Sequence, residues 1–336
     1  MFGFLKQQRA GAEGHTVEKP VISAFGKLPI RADFIKHRVD EREIRELDQW
    51  IQEGYALISR RLNGPHNTPG FPQAIVHHAV FAGTDNQRTV LATIAPGSDR
   101  SGRWYPFVLA TLARSQSLMQ VQAAVPLVYG PFFRHAADIV GQRWRQEPLE
   151  TLLGCLDAVA EDSVAKGRSA MVERELGLLR ATSLDVMREM ALELGGGDAA
   201  LFHQGVVDLV SAVVRRGPAR TAWGIRLPLP AGEHAEAGLV FWLRLLDSLL
   251  GQNWRGSYFW RTRDSAFGQV TIFFRRVPPS FLPHLFDDTL RDGTVQSLAQ
   301  WLDDPAPAAR KALDIAALEE GSLLDLLSRY VSGGAL

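Results

Sequence analysis

The segment Ala95-Pro-Gly-Ser-Asp-Arg-Ser-Gly-Arg-Trp104 holds the residues best placed to do chemistry. Gly97 and Gly102 carry the spacing of the phosphate-binding loop G-x-x-x-x-G-K-[ST], whose amides cradle phosphate and whose hydroxyl holds magnesium. The residues that follow argue against that use. Arg103 replaces the lysine, Trp104 has no hydroxyl, and Pro106 falls where a phosphate-facing helix would have to run. A tight turn between strands fits better, with Asp99 and Arg103 satisfying backbone groups or each other. Ser98 offers a hydroxyl, but its surroundings are not G-x-S-x-G and no histidine is tied to it by sequence, so a serine hydrolase is not expected.

A second charged segment, Gly26-Lys-Leu-Pro-Ile-Arg-Ala-Asp-Phe34, places Lys27, Arg31 and Asp33 around Pro29. It reads either as an exposed turn or as a polar cluster supporting a binding face. Together the two loops supply two cations and two anions: Lys27, Asp33, Asp99 and Arg103. If the first strand lies beside the strand ending at Pro96, the loops meet at one sheet edge and the four charges fix their geometry. Phe25, Phe34, Trp104 and Tyr105 then add either core or the aromatic part of a docking surface. The alternative is a small-anion-binding protein or enzyme using the same four residues, which requires unpaired cations lining a pocket.

Other candidates carry less. His77 and His78 are consecutive on an expected strand and point to opposite faces, so they do not chelate one metal without a bulge. Asp287-Asp288 and Asp303-Asp304 read as loop or cap pairs rather than metal ligands, and no metal or cofactor site is expected. Cys155, inside Leu152-Leu-Gly-Cys-Leu156, reads as a buried thiol. Ser257–Asp264 (SYFWRTRD) is either an exposed aromatic-basic patch or a hairpin with one buried side. Arg143, Arg145, Arg215 and Arg216 read as solvated helix faces.

The elements that must position these residues follow from periodicity. Val21–Leu28 reads as a strand, and Ala32–Arg38 either extends it or forms a second short piece. Asp40–Arg61 is a helix with Ile44, Leu47, Ile51, Tyr55 and Ile58 on one face, and Asp40 with Glu43 resembles a capping box. Ala74–Gly83, Thr89–Pro96 and Trp104–Ala113 form a meander of strands. Helices follow over Pro131–Arg145, Leu149–Lys166, Ala170–Leu194 and Leu201–Arg216, with Gly195–Gly197 as a cap or linker. The remainder reads as strand Thr221–Leu229, helix Ala235–Leu250, a hairpin of Ser257–Thr262 with Gly268–Arg276, and helices Gly293–Asp303 and Ala306–Tyr330.

Composition narrows the function classes. The chain has 336 residues, with Lys+Arg 37 balancing Asp+Glu 37, so it lacks the basic excess of a general nucleic-acid or acidic-membrane binder. With Cys 1 it forms no intrachain disulfide, and the cytoplasm is the natural compartment. The most apolar stretch, Ala235–Leu250, carries Glu236, Arg244 and Asp247, so membrane insertion is not expected. The first residues, MFGFLKQQRAGAEGHTVEKP, do not form a secretory signal and read as a flexible lead-in.

The motifs in combination resemble the TagF (ImpM-like) family of type VI secretion system accessory proteins. Phe25, Gly26, Lys27, Leu28, Pro29, Asp33 and Phe34 match its opening motif, Asp48 and Trp50 its helix element, and Ser98, Asp99, Gly102, Arg103, Tyr105 and Pro106 its strand motif. Arg226-Leu-Pro, Trp242-Leu and Tyr258-Phe-Trp260 look like weaker marks of the longer members. The chain departs at Ala32, where the family prefers glycine, and at Gly97, where it has proline; a positive φ at position 32 would strain the alanine by about 1 kcal/mol. The resemblance implies an α/β fold: a three-layer α-β-α N-terminal domain with a mixed sheet over residues 21–170, after a lead-in of 1–20, then a C-terminal helical and α/β portion over 171–336. It also implies a cytoplasmic, non-catalytic, post-translational regulator, usually a repressor. The implied partner is the system's forkhead-associated scaffold protein.

Overall fold

The computed structural model describes residues 21–62, 75–83, 88–114, 122–142, 144, 147–158, 168–251, 254–304 and 316–332. The expected lead-in over 1–20, the Gly/Pro/Asn-rich loop expected over 63–72, residues 84–86 of the turn expected over 83–86 and the arginines 143 and 145 lie outside these. The first half supplies strands β1 (Ser23–Gly26) and β2 (Ile35–His37), helix α1 (Arg42–Leu62), and strands β3 (His77–Ala82), β4 (Arg88–Ala95) and β5 (Phe107–Arg114). A helical run follows: α2 (Val125–Val128), α3 (Gly130–Gly141), α4 (Leu149–Ala158), α5 (Arg168–Ala181), α6 (Asp185–Leu194) and α7 (Ala199–Arg216). The rest comprises β6 (Gly224–Leu229), α8 (Ala235–Leu250), β7 (Ser257–Arg261), β8 (Gly268–Phe273), α9 (Leu282–Phe286), β9 (Val295–Ser297), α10 (Leu298–Asp303) and α11 (Leu323–Ser332).

Among the described residues the strands form one nine-stranded sheet in the order β2-β1-β5-β4-β3-β7-β8-β6-β9. Its ladders are antiparallel except for the parallel pair β6–β9, so the sheet is mixed. The expected meander β3-β4-β5 and hairpin β7-β8 are both present. The boundary expected near residue 170 falls inside α5, and the sheet spans both sides of it, because β3 pairs with β7 from His78↔Trp260 to Val80↔Tyr258.

Strand alternation sends side chains to two cores. On one face Val80, Leu91, Leu109, Leu227, Tyr258 and Val270 meet the helices α3 to α8 and α11. On the other, Phe25, Phe81, Val90, Val108 and Phe259 meet α1, α9 and Phe281. These are the two outer layers of an α-β-α sandwich. The apolar face of α1 is the expected one, with Ile44, Leu47, Ile51 and Ile58 buried.

Several local expectations change. The helix expected over Ala170–Leu194 is broken at Thr182-Ser183-Leu184, where the Leu323 amide donates to Thr182 O at 3.0 Å and the Leu184 amide to Gly321 O at 2.9 Å. Gly293–Asp303 splits into β9 and α10, because Gly224, Ile225 and Arg226 pair with residues 295–297. Helix α9 was not expected; Pro279 and Pro283 sit in its first turns and the preceding one, where proline needs no amide partner. Glu43 does not cap α1 but turns to Arg88, 3.3 Å away. Cys155 is half-buried rather than buried. The patch over Ser257–Arg261 is buried on both faces, since Tyr258 and Trp260 enter one core and Phe259 the other, and strands pair with both edges of β7.

Candidate functional site

The two loops do meet. Strand β1 pairs with β5, which pairs with β4, so the chain leaving β1 at Gly26 and the chain leaving β4 at Ala95 emerge at the same end of the sheet. The approach is close enough to demand glycine. A Cβ on Gly26, whose φ is +120°, would sit 2.0 Å from the Pro106 carbonyl oxygen, and one on Gly97 would sit 2.2 Å from that of Lys27.

Asp99 is the centre of the contact, with its side chain fully buried. Lys27 Nζ donates to Oδ2 at 3.0 Å and Arg103 Nε to the same oxygen at 2.7 Å. The amides of Ser101 and Arg103 donate to Oδ1 at 2.9 and 3.0 Å. Burial disfavours the charge, but these four donors outweigh it and hold the carboxyl well below the usual carboxylate range. The turn is closed by the Gly102 amide on Asp99 O at 2.9 Å, with Gly102 at φ +79°. Arg103 then spans the loops, donating to Ala32 O at 2.7 Å. Arg100 does the same from its backbone to Arg31 O at 2.8 Å and from its side chain to Ile30 O at 2.7 Å.

Three of the four expected charges therefore converge. Asp33 does not: it is exposed, accepts from the Phe34 amide at 2.7 Å, and makes no ion pair among the described residues. The Ala32 strain does not arise, because the only non-glycine with positive φ among the described residues is Arg38. Pro29 is half-buried in the turn after Lys27, and Ser98 is engaged in a backbone bridge to Trp104.

The aromatics divide between core and surface. Phe25 is buried in the sheet. Tyr105 is buried against Tyr55, 4.8 Å between ring centres, and burial raises its phenol well above the ordinary value. Trp104 stacks on Tyr55 at 5.3 Å and meets Phe286 edge-on at 5.2 Å. Phe34 remains 43% exposed, packed edge-on against Tyr105 at 4.9 Å with Lys27 Nζ 4.9 Å above its ring. Trp50 does not join the loops. It faces the sheet from α1, stacked on Phe259 at 5.5 Å, while Asp48 pairs with Lys36 at 2.9 Å.

His77 and His78 point to opposite faces as expected. His77 Nε2 lies 2.6 Å from Leu285 O and His78 Nδ1 3.0 Å from Thr93 Oγ1, and burial pushes them down to about 3 and about 4. Among the described residues no group of three or more His, Cys, Asp or Glu is placed to hold a metal ion, and no helix is long and apolar enough to cross a membrane.

A second polar cluster escaped the sequence reading. Arg226 on β6 and Arg261 on β7 flank β8 on the α1/α9 face, both buried, and share the half-exposed carboxylate of Asp288. The signal available was parity: Arg226 sits between inward-facing Ile225 and Leu227, and Arg261 follows Trp260, so both face the second core rather than solvent. Phe286 connects the clusters, touching Trp104 and lying 6.4 Å from His77.

Residues 23–158 match a family model described as the TagF N-terminal domain, type VI secretion system-associated. No curated protein matches the chain. Among solved structures, the crystal structure of PA0076 from Pseudomonas aeruginosa PAO1 is similar at 12% sequence identity, covering 80% of this chain and 96% of that one, with a TM-score of 0.44.

Proposed function

Residues 23–158 are a TagF N-terminal domain, type VI secretion system-associated, and from that premise we propose that the protein is a non-catalytic regulator that acts by binding another protein. The observation that carries this reading is the internal pairing of the motif charges. Asp99 holds Lys27 and Arg103 while two amides fill its other oxygen, so the cluster shapes a surface instead of presenting a reactive group. What the surface offers outward is the exposed ring of Phe34 beside the exposed side chains of Arg31, Arg100 and Arg103. An apolar anchor ringed by guanidiniums suits a protein partner with acidic residues around a hydrophobic recess.

The proposed partner is the forkhead-associated scaffold of the secretion system, the proposed compartment the cytoplasm, and the proposed effect post-translational repression of assembly. The small-anion alternative is less favoured at these loops, because the buried cation Lys27 is already paired with Asp99.

Calorimetric titration of the full chain against the purified scaffold tests the reading. Wild type binds, and Arg103→Glu, whose side chain is 63% exposed, weakens binding by more than about tenfold without lowering helix content. Absence of binding by folded wild type removes the partner. Unchanged binding by folded Arg103→Glu and Phe34→Ala removes the surface.

A further inference from the structure

The Arg226–Arg261 cluster is unbalanced in a way that internal packing does not explain. Arg226 donates Nε to Thr271 Oγ1 at 3.1 Å and a terminal nitrogen to His284 O at 3.1 Å, and its other terminal nitrogen is 3.5 Å from Asp288 Oδ1. Arg261 pairs with Asp288 Oδ2 through a terminal nitrogen, while its buried Nε has no hydrogen-bond partner among the described residues. Gln269 Nε2 donates to Asp288 Oδ1 at 3.0 Å. Two guanidiniums about 5% exposed thus share one carboxylate that is 39% exposed.

The surroundings add to the excess. Arg291 and Arg263 are exposed nearby and work against the protonation of Arg226 and Arg261 respectively, and Asp287 is the further carboxylate acting on Arg226. Burial, the largest influence, pushes Arg226 down to about 10. His77 contributes no compensating anion and is held neutral by burial. Buried cations are ordinarily matched by anions, and a buried donor left unpaired is costly.

We propose that Arg226, Arg261 and Gln269 form a binding site for an oxyanion that presents at least two oxygens, a carboxylate or a phosphate group, and that the Asp288 side chain occupies this site until such a ligand displaces it. Asp288 is the movable element: it lies on the loop between α9 and β9, half-exposed, whereas both arginines are fixed on strands. A guanidinium pair holding two oxygens of one carboxylate is the geometry that recognises such groups. The site lies outside the two motif loops, so it stands whether or not those loops bind the scaffold.

Thermal unfolding of the full chain, in sodium phosphate and in sodium acetate against sodium chloride at matched ionic strength, tests the site. Wild type gains a saturable rise in Tm from one or both oxyanions that chloride does not give. Asp288→Asn, which removes the competing charge and keeps the shape, lowers the half-saturating concentration by at least about tenfold. Arg261→Gln abolishes the response. A lower half-saturating concentration for phosphate assigns a phosphorylated ligand, and one for acetate an acidic side chain or small carboxylate. Responses of wild type to both oxyanions that equal the chloride response overturn the proposal, whether or not the variants fold. So does a folded Asp288→Asn that responds no more strongly than wild type.

Discussion

The indole N–H of Trp50 donates to the carbonyl of Pro278 at 3.2 Å, across 228 positions of chain. This bond fastens α1, which packs on the first strands, to the turn that leads into α9. The same ring stacks on Phe259 of β7, so one side chain joins strands and helices from both halves.

Trp50→Phe keeps the stacking and loses the donor. It is expected to cost about 1 kcal/mol, whereas Trp50→Ala also opens a cavity and costs roughly 3–5 kcal/mol. Urea denaturation measures both, and hydrogen exchange over residues 278–286 should rise in each. Equal midpoints for wild type and Trp50→Phe would show that the hydrogen bond contributes nothing.

The two cations on Asp99 differ in worth. Lys27, 9% exposed at its side chain, is buried with its partner, so Lys27→Met leaves the carboxylate short of a donor and costs roughly 1–3 kcal/mol. Arg103 is mostly in solvent, so Arg103→Ala costs less than about 1 kcal/mol. The Asp99 carboxyl is depressed in the folded state, so its contribution is present above the ordinary aspartate range and is lost as pH falls toward its folded value. Reversal of the two variants' order in chemical denaturation would place the weight on the exposed arginine.

Glycine substitutions separate crowding from backbone strain. Gly102→Ala meets no atom within 4 Å and pays only for φ +79°, about 1 kcal/mol. Gly26→Ala and Gly97→Ala drive a methyl into backbone carbonyls and are expected to cost more than about 3 kcal/mol each. Thermal unfolding of the three variants decides it; similar losses for all three would mean the loops separate easily.

Asp247 gives the helical layer a pH signature. Burial pushes it up to about 6, against the pull of Arg244 and of the Trp254 indole, which donates to it at 2.9 Å. The unfolded carboxyl ionises near 3.9, so between about 4 and about 6 the folded state binds more proton and its stability falls as pH rises. Asp247→Asn keeps the acceptor for Trp254 and removes the titration. Across that window wild type should lose roughly 1–3 kcal/mol relative to the variant; parallel curves would contradict it.

The sequence by itself determined the elements whose periodicity is local. The apolar face of α1, the meander, the β7–β8 hairpin and the opposed His77 and His78 follow from residue spacing, because alternation and helical repeat are properties of neighbouring residues. The motif loops and their glycines were legible for the same reason. Only the tertiary structure decided what depends on strand order. It placed β7 beside β3, buried the SYFWR part of the SYFWRTRD patch in a strand between two cores, drew Trp50 to Pro278 and set Arg226 and Arg261 around Asp288. It also left Asp33 outside the charge cluster, since the turn after Pro29 directs that carboxylate to its own neighbour's amide. Pairings over such separations depend on which long loops close and which faces are covered, and no local pattern encodes either.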